Sequence, residues 1–332
     1  MEAVIRSVGS FVPSRRMSNE ELTQIVDTSD EWIFSHTGIK YRHIADDNQA
    51  ASDLAVEASR RALVGAGIDA PQIDLILLAT STPDFPGLPS TASVVQDKLG
   101  CMQAGAMDVV AACTGFIYAL ATARAFIRSD SAKNVLVIGS EIYSKIVNWE
   151  DRNSCVLFGD GAGAVVVSRD ENAVPASGGS GMIDSYLRSQ GSGAESLYRC
   201  AGGTRNPYDP GHTARKDLFL SMDGRKVYVF AVQVLIDTIQ LLLDRNGLTM
   251  DDVDWVVPHQ ANVRIIDAAC KRAGWPLEKF FMNIEEFANT SAASIPIALD
   301  EMQQKGLLKR GHLLLLVGFG SGLTYGGNLL RW

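Results

Sequence analysis

Cys113 is the residue around which chemistry can be built. It lies in Val109-Val110-Ala111-Ala112-Cys113-Thr114-Gly115-Phe116, within a stretch that has no charge between Asp108 and Arg124. Two β-branched residues lead into it, and Phe116, Ile117, Leu120, Ala123 and Ile127 follow at helical spacing. The pattern predicts a strand running into a buried helix, with the cysteine at the turn. There it would face unpaired backbone N–H groups and the positive end of the helix dipole, both of which favour thiolate. A free cysteine is more often only a small buried hydrophobe, so the assignment depends on partners. His259, just past the apolar strand Asp254-Trp255-Val256-Val257 and Pro258, is one candidate. Asn289, ahead of Thr290-Ser291, is the other.

An internal repeat brings the three together. Ala66-Gly67-Ile68 through Asp74-Leu75-Ile76-Leu77 parallels Asn246-Gly247-Leu248 through Asp254-Trp255-Val256-Val257, offset by roughly 180 residues. Met107-Asp108-Val109 up to Cys113-Thr114 parallels Met282-Asn283-Ile284 up to Asn289-Thr290. Asn134 to Gly139 matches His312 to Gly318, and the glycines near Gly161 recur as Gly326-Gly327. Two α/β halves about a pseudo-twofold axis follow, divided as 1–172 with the nucleophile and 173–332 with the histidine and asparagine. Cys113 and Asn289 then occupy equivalent strand-to-helix turns, with His259 opening on the same end. This makes Cys113 a candidate nucleophile with a base and an amide donor beside it.

The elements that must position these groups are legible in part. Val4–Val8 reads as a first strand, and Ser18 with Glu21 forms a capping box. Ser52 or Asp53 is expected to cap a helix that ends at Gly65-Ala66-Gly67. The apolar run Asp74–Thr80 reads as a strand covered on both faces. The proline-rich 81–89 is a loop, and a helix runs over about 90–99. Phe158-Gly159-Asp160-Gly161-Ala162-Gly163-Ala164 is followed at once by Val165-Val166-Val167. It therefore reads as a tight glycine turn between strands, not as a nucleotide loop, which would open a helix. Residues 173–215 are glycine- and serine-rich and read as a linker with a surface excursion. A long helix over about 227–246 and a helix capped by Asn262, carrying Arg264, Lys271 and Arg272, complete the chain. Trp32, among charges, is either a platform for a ligand ring or a partly buried packing residue.

The whole chain has 332 residues, 46% apolar and 20% charged, with a net charge of −8. That leaves no electrostatic footprint for nucleic acid. Its five cysteines contain no Cys-x-x-Cys pair and its five histidines do not cluster with them, so no metal is expected. An odd, scattered cysteine set suggests reduced thiols in the cytoplasm. No apolar run of membrane-spanning length is expected, nor a signal peptide.

With these residues in view the chain resembles β-ketoacyl-acyl-carrier-protein synthase III, a thiolase-superfamily condensing enzyme. The likeness rests on Asp27-Thr28-Ser29-Asp30-Glu31-Trp32-Ile33, Ala111-Ala112-Cys113-Thr114-Gly115-Phe116 and Phe158-Gly159-Asp160-Gly161-Ala162-Gly163. Pro258-His259-Gln260-Ala261-Asn262, Asn289-Thr290-Ser291-Ala292-Ala293-Ser294 and Gly318-Phe319-Gly320-Ser321-Gly322 complete it, in order along nearly the whole chain.

The resemblance implies duplicated βαβαβαββ halves in a five-layer αβαβα sandwich, a homodimer, and a catalytic set of Cys113, His259 and Asn289. It implies an oxyanion hole from the backbone of Cys113, Gly320 and Ser321, and coenzyme A contacts at Trp32 and Arg152. A primer pocket at Leu88 and Phe158, and carrier-protein docking on Arg264, Lys271 and Arg272, are implied as well. The reaction would be a decarboxylating Claisen condensation of an acyl-CoA primer with malonyl-acyl carrier protein through an acyl-Cys113 intermediate, initiating fatty acid synthesis without a cofactor. A related starter enzyme of alkylquinolone or polyketide type, with another primer or a CoA-bound extender, is the near alternative. A Cys–His–Asn hydrolase is the remote one. The chain departs from the pattern at Ala288 (usually glycine), Phe287, His36 (often arginine), Val229 (often lysine, with Arg225 or Lys226 as substitutes), Leu88 (often phenylalanine) and the long 177–215 excursion.

Overall fold

The computed structural model describes residues 2–174 and 178–332. The chain opens with β1 (Glu2–Phe11) and a ribbon of β2 (Arg15–Ser18) and β3 (Tyr41–Ile44). Between the ribbon strands lie α1 (Asn19–Leu22) and α2 (Asp30–Thr37). The Ser18–Glu21 capping box is present, and the Ser29 side chain caps α2 through the Trp32 N–H.

The first sheet adds β4 (Leu75–Ala79), β5 (Gly105–Val109), β6 (Asn134–Ile142) and β7 (Asp160–Asp170) to β1, in the order β1-β7-β6-β4-β5. The second contains β8 (Gly181–Ser189), β11 (Trp255–Pro258), β12 (Leu313–Gly320) and β13 (Thr324–Arg331), in the order β11-β12-β13-β8. Read from the opposite edge, the second order repeats the first. The counterpart of β5 has shrunk to a single parallel bridge between Val256 and Phe280, so the second half falls one full strand short of the expected βαβαβαββ. A small pair, β9 (Leu197–Arg199) and β10 (Leu220–Met222), lies outside both sheets.

Helices fill three layers. On the outside of the first sheet pack α3 (Ala51–Ala66) and α4 (Thr91–Leu99), around Leu54, Ile76, Leu78, Ile138 and Val166. Between the sheets lie α5 (Gly115–Arg128) and α10 (Ser294–Gln304). Their Phe116, Leu120, Ile295 and Leu299 join Val137, Val165, Leu314 and Leu316 in the central core. Outside the second sheet are α7 (Gly224–Arg245) and α8 (Val263–Ala273), packed around Leu235, Ile239, Ile266 and Leu315. Two short helices, α6 (Arg152–Cys155) and α9 (Ile284–Phe287), complete the set. The layering is the thiolase-like αβαβα sandwich.

Four expectations need correction. The glycine run 158–164 is no turn: from Asp160 it is the first part of β7. Its glycines admit the central helix, since a Cβ at Gly163 would lie 2.7 Å from the Pro296 Cβ. The cap of α3 is Ala50, whose N–H is taken by the Asp53 carboxylate, so Asp53 sits one turn inside the helix. The stretch 173–215 is not mainly linker, because β8 is a full strand paired with β13; residues 175–177 lie outside the described residues. Finally, α7, at 22 residues, is long and apolar enough to cross a membrane by composition. Its Ala231, Leu235, Ile239 and Leu242 are buried in the outer core instead.

Candidate active site

Cys113 sits in a 3-10 turn, Ala112–Thr114, between β5 and α5. Ala112 ahead of it is held at φ +46°, a region that costs a residue with a Cβ about 1 kcal/mol or more. Ties across the two halves fix the turn. The Thr324 hydroxyl donates to the Ala111 carbonyl at 3.0 Å, and the Asn328 amide donates to the Ile117 carbonyl at 3.1 Å. Gly320 packs directly against Cys113: a Cβ there would stand 2.8 Å from the Cys113 nitrogen.

Asn289 lies in the matching turn of the second half. Its backbone N–H donates to the Leu157 carbonyl at 3.0 Å, and its carbonyl accepts from the Gly159 N–H at 3.1 Å. Its Oδ1 accepts from the Ser291 N–H at 2.9 Å. An N–H can only be met by the oxygen of the carboxamide, so Nδ2 is left as the donor facing the reaction space. His259 follows β11, with its N–H on the Val317 carbonyl at 2.8 Å and its Nδ1 2.8 Å from the Ser294 hydroxyl. The Nε2 is the ring nitrogen that remains for substrate.

These three side chains line one cavity of about 560 Å³. Cys113, His259 and Asn289 are buried at its inner end, where Tyr143, Phe158 and Phe319 also line it. Trp32, His36, Arg225 and Arg264 line it where the chain is partly or fully exposed. A buried reactive end joined to an exposed basic and aromatic end suits a long ligand whose reactive group enters first.

Burial dominates the electrostatics. It pushes the Cys113 thiol up to about 12, with the Glu141 carboxyl adding to the effect and a hydrogen bond from Ser291 opposing it. The helix dipole favours thiolate but does not suffice: it gives at most about 2 kcal/mol, and desolvation outweighs it, so the resting form is the thiol. Burial also pushes His259 down to about 3, so its imidazole is neutral.

The remaining expected residues fall at different distances from this centre. Phe158 lines the cavity, stacked on Tyr143 with ring centroids 4.7 Å apart. Leu88 is 88% exposed and does not line it, so within one chain it forms no part of a primer pocket. Trp32 lines the exposed end, stacked on His36 at 4.5 Å, with the Arg152 guanidinium 4.7 Å from its ring centre. Gly320 borders the cavity, whereas Ser321 gives its hydroxyl to the Leu197 carbonyl. Arg264 is at the rim. Lys271 and Arg272, roughly two turns further along α8, are exposed outside the cavity, and Lys271 is paired with Asp267 at 2.7 Å. Of the two suggested substitutes for the missing lysine, Arg225 lines the cavity, while Lys226 pairs with Asp223.

Sequence reasoning missed Tyr143, Glu141, Ser291 and Ser294 as parts of the site. A lone acid inside the apolar run Val135–Ile142 was the available signal for Glu141, since a charge in a strand buried on both faces needs a reason. Among the described residues no group of three or more His, Cys, Asp or Glu side chains could hold a metal ion.

Two family models match the chain, 3-oxoacyl-[acyl-carrier-protein] synthase III over residues 107–191 and its C-terminal counterpart over residues 243–332. The β-ketoacyl-[acyl-carrier-protein] synthase III of Caldanaerobacter subterraneus subsp. tengcongensis is 49% identical over 331 residues, 99% of this chain and 98% of that one. The chain belongs to the β-ketoacyl-acyl-carrier-protein synthase III family. The crystal structure of 3-oxoacyl-[acyl-carrier-protein] synthase III from Aquifex aeolicus superposes with a TM-score of 0.90 at 43% identity, covering 99% of this chain and all of the other. The priming β-ketosynthase of the R1128 polyketide pathway also superposes at 0.90, with 36% identity over 99% of this chain and 96% of its own. As a synthase III, the chain is a condensing acyltransferase of the initiating step of fatty acid synthesis.

Proposed function

We propose that Cys113, His259 and Asn289 carry this condensation, with an acyl-CoA as primer and malonyl-acyl carrier protein as extender. The observation behind the assignment is the single cavity whose inner end holds all three side chains. In the first step the Cys113 sulfur attacks the primer thioester, the C–S bond to coenzyme A breaks, and the Cys113 proton ends on the departing coenzyme A sulfur, which leaves as a thiol. Because the resting group is a buried thiol and not a thiolate, the proton must depart as the S–C bond forms. The Cys113 N–H and a backbone N–H at Gly320 or Ser321 take the developing oxyanion, each donor contributing about 3 kcal/mol.

In the second step the malonyl C–carboxylate bond breaks and the electron pair moves to the thioester oxygen. His259 Nε2–H and Asn289 Nδ2 donate to that oxygen. The neutral imidazole fits this role, since Nδ1 is occupied by Ser294 and burial keeps a second proton off the ring. The enolate carbon attacks the acyl-Cys113 carbonyl, the bond from that carbon to the Cys113 sulfur breaks, and the sulfur takes a proton from solvent. No bound cofactor is required in either step.

Trp32 and Arg152 are assigned to coenzyme A, with His36 against the same ring. Phe158 is assigned to the primer pocket, and Arg264 with Lys271 and Arg272 to docking an acidic carrier. We treat residues 1–172 and 173–332 as the two halves and place the enzyme in the cytoplasm as a homodimer. Support for the dimer is β5, an edge strand with partly exposed residues: its own Met107 and the flanking Met102 and Val110 are exposed in the single chain. Leu88 joins a primer pocket only if such a dimer carries it to the partner's cavity.

A panel of acyl-CoA primers read by intact mass tests the assignment. One acyl group per chain is expected on the wild type and none on Cys113→Ser. Adding malonyl-carrier protein should then give β-ketoacyl-carrier. Free acid alone would mean a hydrolase, and a product formed only from malonyl-CoA would mean a CoA-extending starter enzyme.

A further inference from the structure

Behind the nucleophile lies a carboxyl that neither step uses. Glu141 is fully buried near the end of β6. Its oxygens accept from the Ser81 N–H at 3.0 and 3.1 Å, from the Thr82 hydroxyl at 2.7 Å and from the Thr80 hydroxyl at 3.3 Å. The Ser291 hydroxyl donates to it at 3.1 Å. None of these partners is a cation. A buried carboxyl held only by neutral donors is costly to keep unless it serves something else in the fold.

Ser291 is what it touches, and Ser291 touches both reactive elements. Its hydroxyl also acts on the Cys113 thiol and the Tyr143 hydroxyl, lowering both against the burial that raises them. Its backbone N–H holds the Asn289 carboxamide, with Nδ2 left for substrate. It does so from φ +50°, a conformation that an L-residue keeps only where its surroundings enforce it. The bond to Glu141 anchors the side chain of that strained residue.

We propose that Glu141 is a positioning residue for condensation: through Ser291 it holds the Cys113 sulfur towards the primer carbonyl carbon and the Asn289 carboxamide towards the malonyl thioester oxygen. The carboxyl is too deep to meet substrate, and its effect is transmitted by one hydroxyl. It also acts on the sulfur through space. A negative charge there opposes thiolate, in the direction that Glu141 already pushes Cys113. The other titratable groups around this point are Tyr143, His259 across the cavity, and Asp160 on β7, whose carboxylate is taken up by the Ala45 N–H and by Ser144.

The test uses the full-length enzyme with Glu141→Gln, Ser291→Ala and the double variant, all checked for folding by thermal melting. Iodoacetamide alkylation of Cys113 across pH needs no substrate. Removing the charge in Glu141→Gln should lower its pH midpoint by about one unit, which a purely structural role would not do. In acylation by acyl-CoA each single variant should lose about tenfold or more in kcat with KM unchanged. The double variant should be no worse than Ser291→Ala, because both act through one bond. An unmoved midpoint, losses that add, or a change confined to KM would overturn the proposal. If Glu141→Gln does not fold, Ser291→Ala decides alone: acylation at the wild-type rate would overturn it. The inference rests on the condensation reading. A wild type that forms no acyl adduct defeats that reading, whereas the alkylation midpoint judges Glu141 separately.

Discussion

The turn that carries Cys113 in the first half and the turn that carries Asn289 in the second can be laid side by side. Each is preceded by an alanine at positive φ, Ala112 at +46° and Ala288 at +54°. Each passes through a 3-10 turn, Ala112–Thr114 or Ser291–Ala293, into a helix of the central layer. Each is backed by a glycine on the facing half: Gly318 near the Cys113 carbonyl, and Gly139 near the Ala292 carbonyl. The backbone device is shared and the side chain it presents is not. On the proposed assignment one turn delivers a nucleophile to the bond that must form, the other a neutral donor to the oxygen that gathers charge. Duplication thus supplies two convergent lines of approach to one substrate, and the chemistry comes from what differs at their tips.

The two backing glycines offer the largest effect by which the likeness can be broken. A Cβ at Gly139 would fall 2.2 Å from the Ala292 oxygen, whereas one at Gly318 would meet the Ile117 Cγ1 at 3.3 Å. Gly139→Ala should therefore cost about 3 kcal/mol or more, and Gly318→Ala roughly 1 kcal/mol. Denaturant melts of the two variants measure this. Equal losses would mean that the closeness of the second turn is not what the structure shows.

A smaller effect sharpens the same comparison. Ala288 combines φ +54° with ψ −159°, a region that is almost glycine-only. Ala288→Gly should stabilise the fold by about 1 kcal/mol, the relief of strain exceeding the entropy that glycine adds to the unfolded chain. Ala112→Gly, at the milder position, should change stability by about half that or less. Thermal melts with a fall for Ala288→Gly would show that the second turn is not strained.

Much of this arrangement was legible before any coordinates. The repeat, the strand-to-helix position of Cys113 and the caps at Ser18 and Asn262 follow from local periodicity and side-chain chemistry, which leave marks at fixed spacing. The glycines of 159–163 were misread because their purpose is non-local. Gly161 and Gly163 make room for α10, about 130 residues away in the chain, and Gly159 for the Phe287 carbonyl. How far Cys113 is held as a thiol is non-local for the same reason. A helix terminus can be inferred from sequence, but the desolvation that overrides it depends on what closes over the sulfur, here Gly320 and the opposite half. Glu141 and Ser291 escaped notice because they matter only through each other, across 150 residues.

In the proposed mechanism the sulfur acts on the primer carbonyl, and the imidazole and carboxamide act in the next step on the malonyl thioester oxygen. Single-turnover kinetics of Asn289→Ala test it most directly, following acyl transfer from acyl-CoA by intact mass and carbon dioxide release from malonyl-carrier protein. Acyl-Cys113 should form within a few-fold of the wild-type rate while decarboxylation falls by about a hundredfold or more. Equal losses in both, or decarboxylation that survives, would contradict the division of labour between the two turns.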